Sequence, residues 1–215
     1  MPTTAEQTPT SDVATRVAEL RELAATDVDE AARQAWAWIE ELGDRAAGDR
    51  VAAEAELDEL FALGRAPTGL DGATEGILVA PLIQPLVDRV AGAITSLWMP
   101  WQGKSFDAAQ GRGTNRLTGE TRWVAKLLWP LYGTKEGSEG ERLAFDFETR
   151  TEPGMLDPDT EVLVIDYAPV ESNPRLIIKS IRDELVEIVP GANLGKILYR
   201  QGGGYTNIGF FALRS

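Results

Sequence analysis

"RDELVEIVPGANLGKILYR", residues 182–200, decides how the second half of the chain folds. It reads as two apolar strands joined at Pro190–Gly191. "TNIGFFALR" (206–214) follows as a third strand, which makes a meander. Charged Arg182, Asp183 and Glu184 stand at its entry, and Gly195 sits inside the second strand. Neighbouring strand residues point to opposite faces, so Asp183 and Glu184 cannot form a paired acid/base dyad. A glycosidase, which needs two carboxylates across one gap, is disfavoured on that ground. A strand glycine such as Gly195 marks a bend, a bulge or a close approach of another group. The preceding "PRLIIKSIRD" (174–183) allows a helical passage. The charged run is then an ion-paired helix-to-strand junction, with Arg182 on Glu184 or on Asp166.

Working upstream, "EVLVIDY" (161–167) is apolar on both faces, as in a covered strand, and ends in Asp166 and Tyr167. "RLAFDFETR" (142–150) alternates, with Leu143, Phe145 and Phe147 opposite Asp146 and Glu148. "TEGILVA" (74–80) suits a strand, and "WQGKSFDAA" and "GRGTNRL" (101–117) suit short strands bent by glycine. Helical spacing appears in 81–98, where Leu82, Leu86, Val90 and Ile94 recur, and again in 122–133. About seven or eight short strands fit a small antiparallel barrel, with an open α+β sheet as the alternative.

The first third has a different texture. Residues 1–11 form a Thr/Pro-rich tail expected to be disordered. From 12 to 64 the chain reads as two or three helices. Asp27 and Glu30 make a capping box, and Ala32, Trp36, Ile39 and Leu42 form a stripe that stops at Gly43 or Gly48. "GRAPTGLDG" (64–72) breaks the pattern and sets the boundary with a barrel domain over 70–215. The expected architecture is α+β, an acidic helical segment packed on a small antiparallel barrel.

Composition excludes more chemistry than the motifs include. Among the 215 residues there is no Cys and no His. Thiol nucleophiles, thiolate metal sites, catalytic triads and the proximal haem ligand are therefore absent. No cofactor follows from the residues, and no metal. The net charge of −13 is uneven: 16 acids against 6 bases in residues 1–72, and 18 against 15 in the rest. Such a balance repels phosphate backbones and anionic membranes, so neither nucleic acid nor membrane is an expected partner. "MPTTAEQTPTSD" lacks the basic flank and apolar stretch of a secretory signal, which leads to the expectation of a soluble cytoplasmic protein.

Several short motifs fail on inspection. "GKS" (103–105) lacks the glycine of a P-loop, since position 98 is Trp, and "GRGTNR" lacks the third glycine of a dinucleotide fingerprint. "DPDTE" (157–161) is a turn rather than a calcium loop. What remains is aromatic density: Trp98, Trp101, Trp123 and Trp129, with Phe106 and Tyr132 nearby. Core packing is the ordinary use of such rings, and a ring-lined pocket is the functional one. Lys104 in a strand is ordinarily solvated; inside a barrel it would anchor a ligand or act as an amine with a depressed pKa. Trp36 and Trp38, two apart, cannot share a helical face. One of them would then be free for a partner, such as a second copy in a homodimer.

Taken together, "LDGATEGILV", "WQGKSF", "GRGTN", "VLVIDY", "IRDELVEIVPGANLGKILYR" and "FFAL" resemble uncharacterised bacterial lipocalin-like (calycin-like) barrel proteins. A looser similarity runs to the GXWXG family through the Trp-x-Gly-Lys-x-Phe segment. The resemblance spans about residues 70–215 and implies a barrel with an internal apolar cavity. The leading expectation is non-covalent binding of a small apolar or amphipathic molecule. Its candidate wall is Trp98, Trp101, Lys104, Phe106, Trp123, Asp166, Arg182, Tyr199 and Tyr205. A cofactor-free cyclase or isomerase in the same cavity is the alternative, and a protein docking through its acidic helices is the third.

Overall fold

The computed structural model describes residues 11–81, 101–118, 133–137, 140–175 and 177–215. All but the last residue of the tail expected over 1–11, nearly all of the helices expected over 81–98 and 122–133, and Trp98, Trp123, Trp129 and Tyr132 lie outside the described residues; Ser11 caps α1 and Pro81 ends β2.

Three helices open the described chain: α1 (Asp12–Ala24), α2 (Val28–Ala46) and α3 (Arg50–Ala62). Each begins on a side-chain cap. Ser11, Asp27 and Asp49 accept the backbone N–H of Ala14, Glu30 and Ala52, at 3.0, 3.0 and 3.3 Å. These caps satisfy N–H groups that the first turn leaves unpaired. Of the two glycines expected to stop α2, Gly48 follows its C-cap Ala47, whereas Gly43 lies inside the helix, where a Cβ would come within 2.7 Å of the Val79 carbonyl oxygen. It is there to let the helix press against the sheet.

Ten strands follow among the described residues, all antiparallel: β1 (Gly72–Ala73), β2 (Glu75–Pro81), β3 (Trp101–Asp107), β4 (Arg112–Leu117), β5 (Lys135–Glu136), β6 (Arg142–Pro153), β7 (Glu161–Asp166), β8 (Ile181–Val189), β9 (Ala192–Gln201) and β10 (Gly204–Arg214). Their order is β1-β3-β4-β6-β7-β8-β9-β10-β2, with β5 beside β6. Consecutive strands are thus neighbours, as in a meander, and the two ends of the order are one stretch of chain. β1 pairs with β3, β2 pairs with β10, and Thr74 between them holds the Lys104 carbonyl through its N–H (2.8 Å) and its hydroxyl (2.8 Å). Changing partners at Thr74 bends the sheet into a nearly closed barrel. The fold is α+β, with the helices packed on the outside of that barrel.

Two apolar cores result. One lies between the helices and the barrel wall and unites Trp36, Ile39, Leu42, Leu57, Leu60 and Phe61 with Val162, Val164, Val186, Leu194 and Phe210. The other fills the barrel with Phe106, Phe147, Ile165, Leu185, Ile197 and Phe211. β8 separates the two, and all nine of its residues are buried. Residues of alternate parity therefore serve different cores.

Two expectations are corrected here. The helical passage over 174–183 is a single 3-10 turn, Ile178–Ser180, and β8 has already begun at Ile181. Arg182 and Asp183 sit in mid-sheet opposite Asp166 and Ile165, so the charged run is strand rather than junction. Trp36 and Trp38 are both buried. α2 touches α1 and α3 as well as β2, β8, β9 and β10, so more than one of its faces is covered. Arg214 lies 4.6 Å over the Trp36 ring and Arg16 4.3 Å over Trp38. Neither indole is left for a partner.

Candidate functional site: a polar cluster on a cavity inside the barrel

The barrel interior holds a cavity of about 70 Å³. Its apolar wall includes Leu78, Trp101, Leu117, Phe145, Ile197 and Phe211, and its polar wall is Lys104, Asn115, Tyr167 and Asp183. Those four come from β3, β4, the end of β7 and β8, and each points inward by parity. Asp183 alternates with Ile181 and Leu185, both in the inner core. Tyr167 continues the inward row of Leu163 and Ile165.

Glycines shape this interior by omission. A Cβ on Gly195 would come 2.2 Å from the Phe211 ring, so the ring lies on the strand where a side chain would be. Trp101 sits on Gly76 in the same way, with a would-be contact of 2.5 Å, and meets Phe211 edge-on at 5.8 Å. Gly195 is thus a seat for an aromatic ring. Phe145 adopts φ 57°, a conformation costly for a bulky residue, where the β4–β6 pairing shifts register. Its carbonyl accepts Asn115 Nδ2 at 3.1 Å.

Lys104 is the centre of the cluster and is only 2 % exposed. Its Nζ donates to Asn115 Oδ1 (2.9 Å), Tyr167 OH (2.6 Å) and Asp183 Oδ2 (2.9 Å). The Tyr167 hydroxyl donates in turn to Asp183 Oδ2 at 2.8 Å. Three acceptors match the three N–H bonds of an ammonium. Four aromatic rings, of Trp101, Phe147, Tyr167 and Phe211, lie within 5.3–5.6 Å of Nζ. Burial pulls the Lys104 pKa below the usual lysine range, and the charge and hydrogen bond of Asp183 resist that fall. Burial, then the Asp183 charge, pushes the Tyr167 phenol well above its ordinary value.

Of the residues expected to line a pocket, Trp101 and Lys104 line this cavity. Phe106 belongs to the inner core, packed on Phe147 at 5.5 Å, away from the cavity wall. Tyr199 packs beside the same core, and Tyr205 lies farther along β10, half-buried; neither is on the wall. Asp166 and Arg182 require correction, because both face outward. Asp166 takes Arg150 at 2.9 Å. Arg182 takes Glu184 at 2.7 Å and Glu152 at 2.5 Å, so the Arg182–Glu184 ion pair is present, although inside a strand. Residues two apart share a face, which is why Arg182 meets Glu184 and not Asp183. Asn115, Tyr167 and Asp183 complete the cluster and were absent from the expected wall. An acid flanked at i−2 and i+2 by Ile181 and Leu185 was the available signal.

No protein-family model matches the chain, and no curated protein matches it. One solved structure is similar, described as a crystal structure of a protein from Thermomonospora curvata: 16% identity, 81% of this chain and 97% of that chain covered, TM-score 0.43.

Proposed function

We propose that the protein binds a small molecule non-covalently in the barrel cavity, in the manner of lipocalin-like barrels. The observation that carries this reading is an apolar cavity bordered by one buried polar cluster, the usual make-up of a small-ligand site. Apolar burial would drive the binding, and the cluster would fix one end of the ligand. The size is restrictive. A volume of about 70 Å³ is roughly half of the ~150 Å³ that admits benzene in an engineered cavity, so about three to five non-hydrogen atoms fit as the walls stand. The cyclase or isomerase reading has less support. Of its acid/base candidates Lys104, Asp166, Glu184 and the tyrosines, Asp166 and Glu184 face outward onto Arg150 and Arg182, and Lys104 is paired with the interior acid Asp183.

Ligand-observed NMR against a library of fragments of up to about six heavy atoms tests the reading. Binders are expected for the natural sequence, with loss of every one in Ile197→Trp, whose indole fills the cavity. Equal binding to both proteins would overturn the proposal.

A further inference from the structure

The polar wall of the cavity can be accounted for bond by bond. Lys104 has three N–H bonds, and all three have acceptors: Asn115 Oδ1, Tyr167 OH and Asp183 Oδ2. Tyr167 donates its one hydrogen to Asp183 Oδ2 and receives Lys104 and, at 3.3 Å, Asn115 Nδ2. Asn115 donates to the Phe145 carbonyl and to Tyr167, and its Oδ1 also accepts Trp101 Nε1 at 3.1 Å. Trp101 has only that one N–H to give. Every donor in the group is therefore engaged.

Asp183 is the exception. Its Oδ2 accepts two hydrogen bonds, whereas its Oδ1 accepts none among the described residues, although the side chain is almost wholly buried. A buried carboxylate oxygen without a donor is a costly arrangement that native structures seldom leave uncompensated. The capacity left over in this cluster is acceptor capacity. Charge points the same way. Lys104 and Asp183 offset each other, and the rest of the wall is apolar apart from the amide of Asn115 and the phenol of Tyr167. A carboxylate ligand would face Asp183 with no unmatched cation on the wall among the described residues. To recruit Lys104 it would have to break the ion pair and strand Asp183 in the core.

We infer that the ligand carries a hydroxyl on a small apolar body, an uncharged donor with the Asp183 carboxylate as its acceptor. This rests on reading the cavity as a ligand site. Lys104 and Tyr167 then act as positioning residues: both hold Oδ2, which leaves the other oxygen for the ligand's proton. The site discriminates against carboxylic acids of the same shape.

Four probes of one size separate the possibilities: propan-1-ol, propylamine, propionate and 1-chloropropane. Each is titrated into the full-length protein while the Trp101 indole N–H resonance is followed, assigned by its loss in Trp101→Phe. That N–H lies on Asn115 within the cluster, so it reports occupancy directly. Propan-1-ol is expected to bind at least about tenfold more tightly than 1-chloropropane, the worth of one hydrogen bond to a buried charge, and more tightly than propionate and propylamine, which each bring an unmatched charge to a balanced wall. If 1-chloropropane matches the alcohol, or propionate or propylamine binds best, the hydroxyl assignment fails while the cavity stands as a ligand site. If none of the four moves the resonance, both readings fail.

Discussion

Two lysines, Lys104 and Lys196, are buried to nearly the same degree on opposite sides of the barrel wall, at 2 % and 3 % exposure. Both face carboxylates and aromatic rings. Lys196, on the outer face of β9, has Asp58 of α3 and Asp157 of the turn after β6, each at 2.8 Å, with the Phe61 ring 4.5 Å away. Its partners reach water: Asp58 is 55% exposed and Asp157 19%. The Asp183 partner of Lys104 is 6% exposed. What separates the two is the solvation of the acid left behind when the lysine is removed. The outer lysine clamps a helix and a turn to the wall. The inner one neutralises a buried carboxylate whose other donor among the described residues is the neutral Tyr167 hydroxyl, beside a cavity.

The sharpest way to break this comparison is to delete each ammonium in turn. Lys104→Met strands Asp183 and is expected to destabilise the fold by about 3–5 kcal/mol in urea unfolding, with most of it regained in Lys104→Met/Asp183→Leu. Should the double variant be as unstable as the single, the cost would lie in packing rather than in the unpaired charge. Next in size is Gly195→Ala, whose methyl collides with Phe211, at about 1–3 kcal/mol. Shrinking the ring with Phe211→Leu in the same chain should recover part of that loss. Lys196→Met comes third, at about 1–2 kcal/mol, since its acids turn to solvent. A loss equal to that of Lys104→Met would erase the distinction between inside and outside.

The smallest effect is a pH signature of the inner site. Tyr167 holds its proton more tightly folded than unfolded, so its contribution is complete below about pH 10 and is lost as pH rises toward its folded value. Lys104 works in the opposite sense. Its folded pKa is lowered, so its contribution is present above its unfolded value and is lost as pH falls through the folded one. Phenolate absorbance should show Tyr167 silent at about pH 10–11 until the chain unfolds. Tyr167→Phe should accordingly leave the pre-unfolding titration unchanged, and a reduced phenolate step in that range would contradict the burial argument.

The local parts of this fold were legible because their causes are local. Asp27 caps α2 through a residue three ahead, and alternation in 142–150 and the short apolar run of 161–167 assign strands without knowledge of their neighbours. The Arg182–Glu184 pair follows from parity alone. The segment over 174–183 failed because a short apolar run fits both the helical and the extended period, and cross-strand pairing of Asp183 with Ile165 settled it. The cluster was legible only in pieces. Lys104 and Asp183 are 79 positions apart, and nothing near either residue specifies the other. Seating a ring on Gly195 likewise depends on Phe211, a residue of the next strand.

Thr74, where the chain leaves its pairing with β3 and takes up β10, also bears on the order of assembly. The strands from β6 to β10 pair with neighbours in sequence and can zip together locally. The seam between Glu75 and Arg214 spans 139 positions, a loop whose entropy exceeds that of a ten-residue hairpin by about 2 kcal/mol. Pairings of such long separation slow the search for the native state. Late sealing of the cylinder is the expected order, with the chamber around Lys104 completed only when the seam forms.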